Sequence, residues 1–326
     1  MKRRTVLGTA FALALAQNSP RADAADKVLR LGWVTAQEAA SLTPMVTALR
    51  ASLARLGYVE GQNVSIAFRY GDGSADRVPE MVVELERLPV DILLVQGGPA
   101  LTVVAGIPVS VPVAYVYSGD PVSAGFAKSL AYPESNMTGL TLLAAEMNGK
   151  LLEILREMLP AVRDVAIVAN PEHPGFNLER DYTEGAARQL GMRTEYFPAR
   201  TRAELTSSLQ AMADSPARAL AIFSDSFAVS NRRQILDFAI ARKMPVMTGW
   251  PIFADSGALC TYGPRLVDSY ARLASYVDRI AKGAKPADLP IERPTTFELV
   301  LNVKTANAIG LRLPQSLLAR ANRLVS

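Results

Sequence analysis

Residues 90–121, VDILLVQGGPALTVVAGIPVSVPVAYVYSGDP, read as strand, glycine turn, helix and strand, and this unit leaves the chain few architectures. Ile92–Val95 is wholly apolar, the pattern of a strand buried on both faces of a parallel sheet. Gln96-Gly97-Gly98-Pro99 stops it. The two glycines permit positive φ and close backbone approach, and Pro99 suits the first position of a helix. Ala100–Gly106 reads as that helix, and Val111–Tyr117 as the next strand, ending in Ser118-Gly119-Asp120-Pro121. Consecutive strands thus deliver polar, glycine-rich turns to one sheet edge. That is the carboxyl edge, where open α/β sheets bind ligands. Free amides over residues 98–101 favour an anion such as a carboxylate.

The same grammar surrounds this unit. Before it, strands are expected at 29–34 and 64–69, with helices at 36–56 and 77–87. After it, an extended run at 136–143 links to a second half. There, strands at 165–169, 193–198, 219–223 and 246–248 alternate with helices at 145–158, 181–190, 203–214 and 230–242. The pattern predicts parallel, doubly wound α/β sheets in two like halves joined by a hinge. The tail, with strands at 257–262 and 297–302 and helices at 266–281 and 303–309, is expected to add one strand and one helix to each half.

Residues 1–24 are expected to be a cleaved export signal. A basic start (Lys2-Arg3-Arg4) precedes an apolar stretch, Thr5–Ala16, and a small-x-small site, Ala22-Asp23-Ala24. Setting it aside leaves 302 of the 326 residues, and the net charge falls from +4 to +1. So mild a charge gives no footing for nucleic acid. Some 300 residues suit two domains. The one cysteine, Cys260, lies in a strand-like stretch and is expected to be a buried, inert thiol. No cysteine stands at the signal junction, so a lipid anchor is not expected, and the periplasm is the expected compartment.

Catalytic motifs are missing. His173 is the only histidine, which argues against metal sites needing two, and its loop suggests a solvated residue. The chain has no GxGxxG, GxxxxGK[ST], CxxC or GxSxG. No catalytic residue, metal or cofactor is expected. Candidate ligand contacts are instead the strand-end residues. In the first half these are Trp33, Thr35, Gln96, Gly97, Gly98, Ala100, Tyr117 and Asp120. In the second they are Asn170, Asp225, Ser226 and Trp250. Tyr115 and Phe253 would add aromatic walls, Asp120 or Asp225 could take an ammonium group, and the turn at Gly97 a carboxylate. That combination suits an amino acid or a small aromatic acid.

Several ordered segments are also similar to one family: Leu56–Val64 (LGYVEGQNV), Asp76–Glu80 (DRVPE), Gly119–Val122 (GDPV), Asn136–Gly139 (NMTG), Tyr262–Pro264 (YGP), Gly283–Pro290 (GAKPADLP), and Pro294–Leu301 with Lys304-Thr305-Ala306. The chain resembles the ABC-transporter substrate-binding family that includes tryptophan- and other aromatic-amino-acid-binding proteins. The resemblance implies a type I periplasmic-binding-protein fold of two Rossmann-like lobes with three crossovers. Lobe 1 would hold residues 25–140 plus about 258–290, and lobe 2 residues 141–257 plus about 291–326. It implies a monomeric, non-enzymatic receptor that closes on a small-molecule ligand and delivers it to an ABC permease in the inner membrane. A ligand sensor for a membrane receptor is the alternative, and a secreted enzyme on the same fold a weaker one. Pro99 directly after Gly-Gly, residues 35–38 and the loop at 172–177 depart from the family pattern.

Overall fold

The computed structural model describes residues 28–326 apart from Leu143, Pro174 and Ser224. The expected export signal, 1–24, lies outside the described residues. The first sheet is built from β1 (Leu29–Thr35), α1 (Ala39–Arg55), β2 (Val64–Tyr70), α2 (Val78–Arg87), β3 (Ile92–Gln96), α3 (Gly98–Ala105), β4 (Val113–Tyr117) and β5 (Met137–Thr141). Its strand order is β2-β1-β3-β4-β5, parallel throughout. Leu31, Trp33, Leu94 and Val116 pack on one face, and Val34, Leu93, Val95 and Tyr115 on the other. This double burial explains the unbroken apolar strands seen in the sequence.

The second sheet follows with α4 (Ala144–Met158), β6 (Asp164–Ala169), α5 (Phe176–Gln189), β7 (Arg193–Pro198), α6 (Arg202–Ala213), β8 (Ala219–Ile222), α7 (Ser226–Ser230), α8 (Arg232–Ala241), β9 (Val246–Thr248), α9 (Pro251–Asp255) and β10 (Cys260–Pro264). The chain then runs through α10 (Leu266–Ala281), β11 (Phe297–Asn302), α11 (Val303–Ile309), α12 (Gln315–Arg320) and β12 (Arg323–Val325). The strand order is β12-β11-β10-β9-β8-β6-β7, with only the β10–β11 pair antiparallel. Cys260 is fully buried in β10, and burial pushes its thiol pKa up. Two parallel-dominated sheets with alternating helices make this an α/β fold of two Rossmann-like halves.

The tail departs from expectation. Strands β10, β11 and β12 all join the second sheet. The first lobe receives α10 and the segment after it up to Glu292, and Tyr270, Leu273, Tyr276 and Val277 of α10 pack with Leu42, Leu49 and Leu53 of α1. The chain therefore crosses near Arg265 rather than near residue 258. The reason is pairing. The backbone of Cys260 and Thr261 is held by Met247 and Thr248 of β9, while the amphipathic α10 finds its apolar partners on α1 and the first sheet. The return crossing follows Glu292, whose backbone bridges Leu140 of β5 and whose carboxylate takes both ends of the Arg272 guanidinium at 2.7 Å.

Candidate functional site

Each sheet has one place where strand order reverses, between β1 and β3 in the first and between β6 and β8 in the second. Loops leaving such neighbours diverge and open a crevice at the carboxyl edge. The two crevices meet. An inner chamber of about 20 Å³ is lined from the first lobe by Gln37, Gln96, Gly97, Gly98, Pro99 and Ser118, and from the second by His173, Asp225, Ser226 and Trp250. It shares Gln37, Gln96, Leu142, Trp250 and Tyr270 with an outer chamber of about 250 Å³. Leu42, Pro44, Met45, Val229, Ile252 and Leu266 make that outer chamber mostly apolar.

The first-lobe wall is set by a short relay. Thr35 Oγ1, at the end of β1, donates to Gln96 Oε1 at the end of β3 and accepts from the Gln37 amide at 3.1 Å. The Gln96 side chain is thereby oriented, and the Gln37 backbone held, at the rim. Gly97 has φ +87°, a conformation other residues rarely adopt, and turns the chain into α3. The amides of Gly98 and Ala100 have no intrahelical acceptor, while Leu101 N–H already bonds Gly97 C=O. Tyr270 closes this wall from α10. Its ring lies 5.9 Å from that of Trp33.

The second-lobe wall carries the charge. Asp225 caps α7 by accepting the Ala228 amide at 2.7 Å through Oδ1, while Oδ2 is buried without a hydrogen-bond partner. His173 Nε2 lies 3.2 Å from Glu179 Oε1, an ion-pair contact that lacks hydrogen-bond geometry. Glu179 Oε2 accepts from Asn148 Nδ2 at 3.3 Å. Burial works against charging His173, but the contact and charge of Glu179, with the charge of Asp225, outweigh it and raise the imidazole pKa. Burial raises the Asp225 pKa, opposed by His173 and the Ala228 amide. Gly175 leaves room for this pair, because a Cβ there would sit 3.0 Å from His173 Nε2 and 3.2 Å from Glu179 Oε1.

Of the residues expected at the ligand, Gln96, Gly97, Gly98, Asp225, Ser226 and Trp250 line the inner chamber. Thr35 stands one bond behind it. The others are elsewhere. Trp33 and Ala100 have no exposed surface and fill the first-lobe core. Tyr115, Tyr117 and Phe253 are likewise sealed, so Trp250 alone of the expected aromatic walls reaches the chamber. The Tyr117 hydroxyl is buried without a partner, and burial, then Glu179 and Asp120, push its pKa up. Asp120 spends both oxygens on its own turn, accepting from the Val122 amide at 2.9 Å and Ser123 Oγ at 2.7 Å. It borders a separate cavity with Glu146 and Arg293. Asn170 caps its turn through the Glu172 amide at 2.9 Å.

His173 corrects the expectation of a solvated loop residue, because its side chain is only 2% exposed. Gln37, Ser118 and Tyr270 also line the chamber without having been singled out. Ser118 and Gln37 could have been found by extending the strand-end rule one or two residues. Nothing local marks Tyr270, which arrives from a helix more than 120 residues beyond the first sheet.

A family model described as ABC transporter substrate binding protein matches residues 34–325. The chain belongs to this family. Its fold superposes on a conserved domain protein from Vibrio cholerae at TM-score 0.86, with 23% identity over 91% of this chain and 100% of that one. It superposes on an ABC domain from Streptococcus pneumonia in complex with L-Trp at TM-score 0.84, with 23% identity over 91% and 99% of the two chains. A tyrosine-binding protein of Clostridioides difficile is 19% identical over 257 residues, 78% of this chain and 73% of that protein. These relatives bear out the type I periplasmic-binding-protein fold. Among the described residues no helix is long and apolar enough to cross a membrane.

Proposed function

We propose that the protein is the periplasmic receptor of an ABC importer. It would capture a small amphipathic solute, an amino acid or a small aromatic acid, between its lobes and present the closed form to an inner-membrane permease. The observation that carries this reading is the convergence of both switch points on one cavity, with Gln96, His173 and Asp225 at its inner end and Leu42, Met45 and Ile252 at its outer end. Such a cavity takes a polar head at Gln96, Gly98 and Asp225 and an apolar tail against Met45, Trp250 and Ile252. The L-Trp complex and the tyrosine-binding relative support the same solute size and polarity. Contacts from both lobes exist only when the cleft is shut, so ligand would shift the population toward the closed form.

Thermal denaturation tests this. The protein is first unfolded and refolded to strip carried-over solute, then screened against amino acids, aromatic acids, nucleosides and sugars. A compound at about 100 times its dissociation constant stabilises by about 2.7 kcal/mol. A shift confined to a few related compounds is the expected outcome. No shift with any compound, together with no small molecule in natively purified protein by mass spectrometry, overturns the reading.

A further inference from the structure

We propose that a proton latches the cleft: the solute-free receptor takes up one proton as its lobes close, and the buried cluster of His173, Glu179 and Asp225 holds it. This rests on the receptor reading above and adds a regulation to it, in which acid shuts the protein without solute.

His173, Glu179 and Asp225 all come from the second lobe, and all are buried. His173 and Asp225 share the inner chamber with Gly98, Pro99 and Ser118 of the first lobe. Among the described residues no Lys or Arg lines that chamber. With His173 protonated and both carboxylates ionised, the cluster keeps one net negative charge. Glu179 has His173 at 3.2 Å and the Asn148 amide at 3.3 Å. Asp225 has the Ala228 amide on Oδ1, and its Oδ2 is buried without a hydrogen-bond partner. The surplus charge therefore falls on Asp225, whose pKa burial already raises. Keeping that charge out of water is costly, and one further proton cancels it.

The surroundings give no other relief. Tyr117 ends β4 in the first lobe, and its buried hydroxyl has no partner. Burial, then the charges of Glu179 and Asp120, push its pKa up, so it stays neutral. Tyr196 on β7 is held neutral in the same way, by burial first and then Glu184. Glu172, next to His173 in the chain, pairs with Arg200 at 3.3 Å, and Arg180 of α5 pairs with Asp181 at 3.2 Å. Among the described residues, the groups around the cluster are thus neutral, anionic, or cations spent on exposed pairs.

Opening the lobes returns water to the inner end and lets Asp225 ionise. Closing them shuts the water out. The closed form therefore binds one proton more than the open form. By linkage, the closed-to-open ratio rises by up to about tenfold for each pH unit of acidification. Solute enters through the open form, so capture slows as acid depletes it.

Small-angle scattering of the refolded, solute-free full chain tests this between about pH 5 and about pH 9. The radius of gyration should shrink as pH falls, and emission from Trp250, which lines the chamber, should change over the same interval. Asp225→Asn keeps a capping oxygen for the Ala228 amide but cannot ionise, so it should be compact at every pH. Asp225→Ser also keeps a cap and replaces it if the asparagine variant folds poorly. A wild-type radius that is constant, or that grows in acid, overturns the proposal. So does a pH response of full size in either folded variant. The melting shift with solute, read at one fixed pH, judges the receptor reading separately. That shift alongside a pH-independent radius removes the latch alone. Its absence, with no solute in the native protein, removes the receptor reading and this regulation with it.

Discussion

His173 Nε2 lies 3.2 Å from Glu179 Oε1, and the two side chains are 2% and 1% exposed. The contact joins the loop after β6 to the first turn of α5, where a negative charge is also favoured by the helix dipole. It fixes the loop that presents His173 to the inner chamber. Glu179→Gln keeps the shape and removes the charge. Breaking one side of a buried pair costs about 3–5 kcal/mol. The variant should therefore unfold at lower denaturant concentration at pH 6, with an unchanged slope. An unchanged midpoint would show that the pair contributes nothing net.

The same contact sets a pH dependence. The folded-state pKa of His173 is raised above 6.5, so the stability it contributes is full below about 6.5 and is lost as pH rises through the folded value. Asp225 acts in the same sense, because its raised pKa means that ionising it in the folded state costs stability. Melting temperature should fall on the alkaline side of that window, and Glu179→Gln should flatten the slope. A wild-type profile that is flat or rising from pH 6 to 9 would contradict the linkage.

Gly139 governs the approach of β5 to β4. It has φ +155°, and a Cβ there would stand 2.0 Å from the carbonyl oxygen of Tyr115, its registered partner. The obstacle is backbone, which cannot swing aside. Gly139→Ala should cost about 3 kcal/mol or more, the range of severe overpacking. Because β5 leads into the first crossover, ligand affinity should fall with stability. Chemical denaturation and titration calorimetry read both effects, and a loss under about 1 kcal/mol would show that β5 can separate from β4.

Most of the fold was legible because it rests on local periodicity. Ile92–Val95 and Val113–Tyr117 are apolar on both faces, the pattern of central strands. The misses come from contacts distant in sequence. Strand β10 and helix α10 adjoin in the chain yet pack in different lobes, and only pairing with β9 and packing on α1 decide that. The first turn of α5 was missed because Gly175 offers no side-chain cap, and Glu179 was lost with it. Trp33 and Tyr117 were legible as strand-end residues, but alternation decides which side chains face the core, and a one-residue shift exchanges them with the rim. His173 read as solvated because its two acidic partners sit on other elements.

Thr35 tests whether the relay at the rim matters to binding. Its hydroxyl donates to Gln96 and accepts from Gln37, and it touches neither chamber. Thr35→Val keeps the volume and removes both bonds, leaving Gln96 Oε1 and the Gln37 amide to reorient. The loss should be about 1–2 kcal/mol in affinity, about tenfold, for a compound that stabilises the wild type. Thr35→Ser should restore most of it. Equal affinity in the valine variant would mean that packing alone holds the Gln96 side chain and the Gln37 backbone.

The two tryptophans give an optical test of the cleft. Trp33 is fully buried behind Tyr270, whereas Trp250 lines both chambers. A solute that closes the lobes changes the surroundings of Trp250 and leaves those of Trp33 nearly constant. Any compound that raises the melting temperature should therefore shift or quench tryptophan emission in the wild type. Trp250→Phe should abolish the change while keeping the residual Trp33 emission. Some loss of affinity is also expected, since a ring against an apolar tail contributes about 0.5–1.5 kcal/mol beyond its buried area. A ligand-induced signal of full size surviving in Trp250→Phe would place the solute outside this cleft.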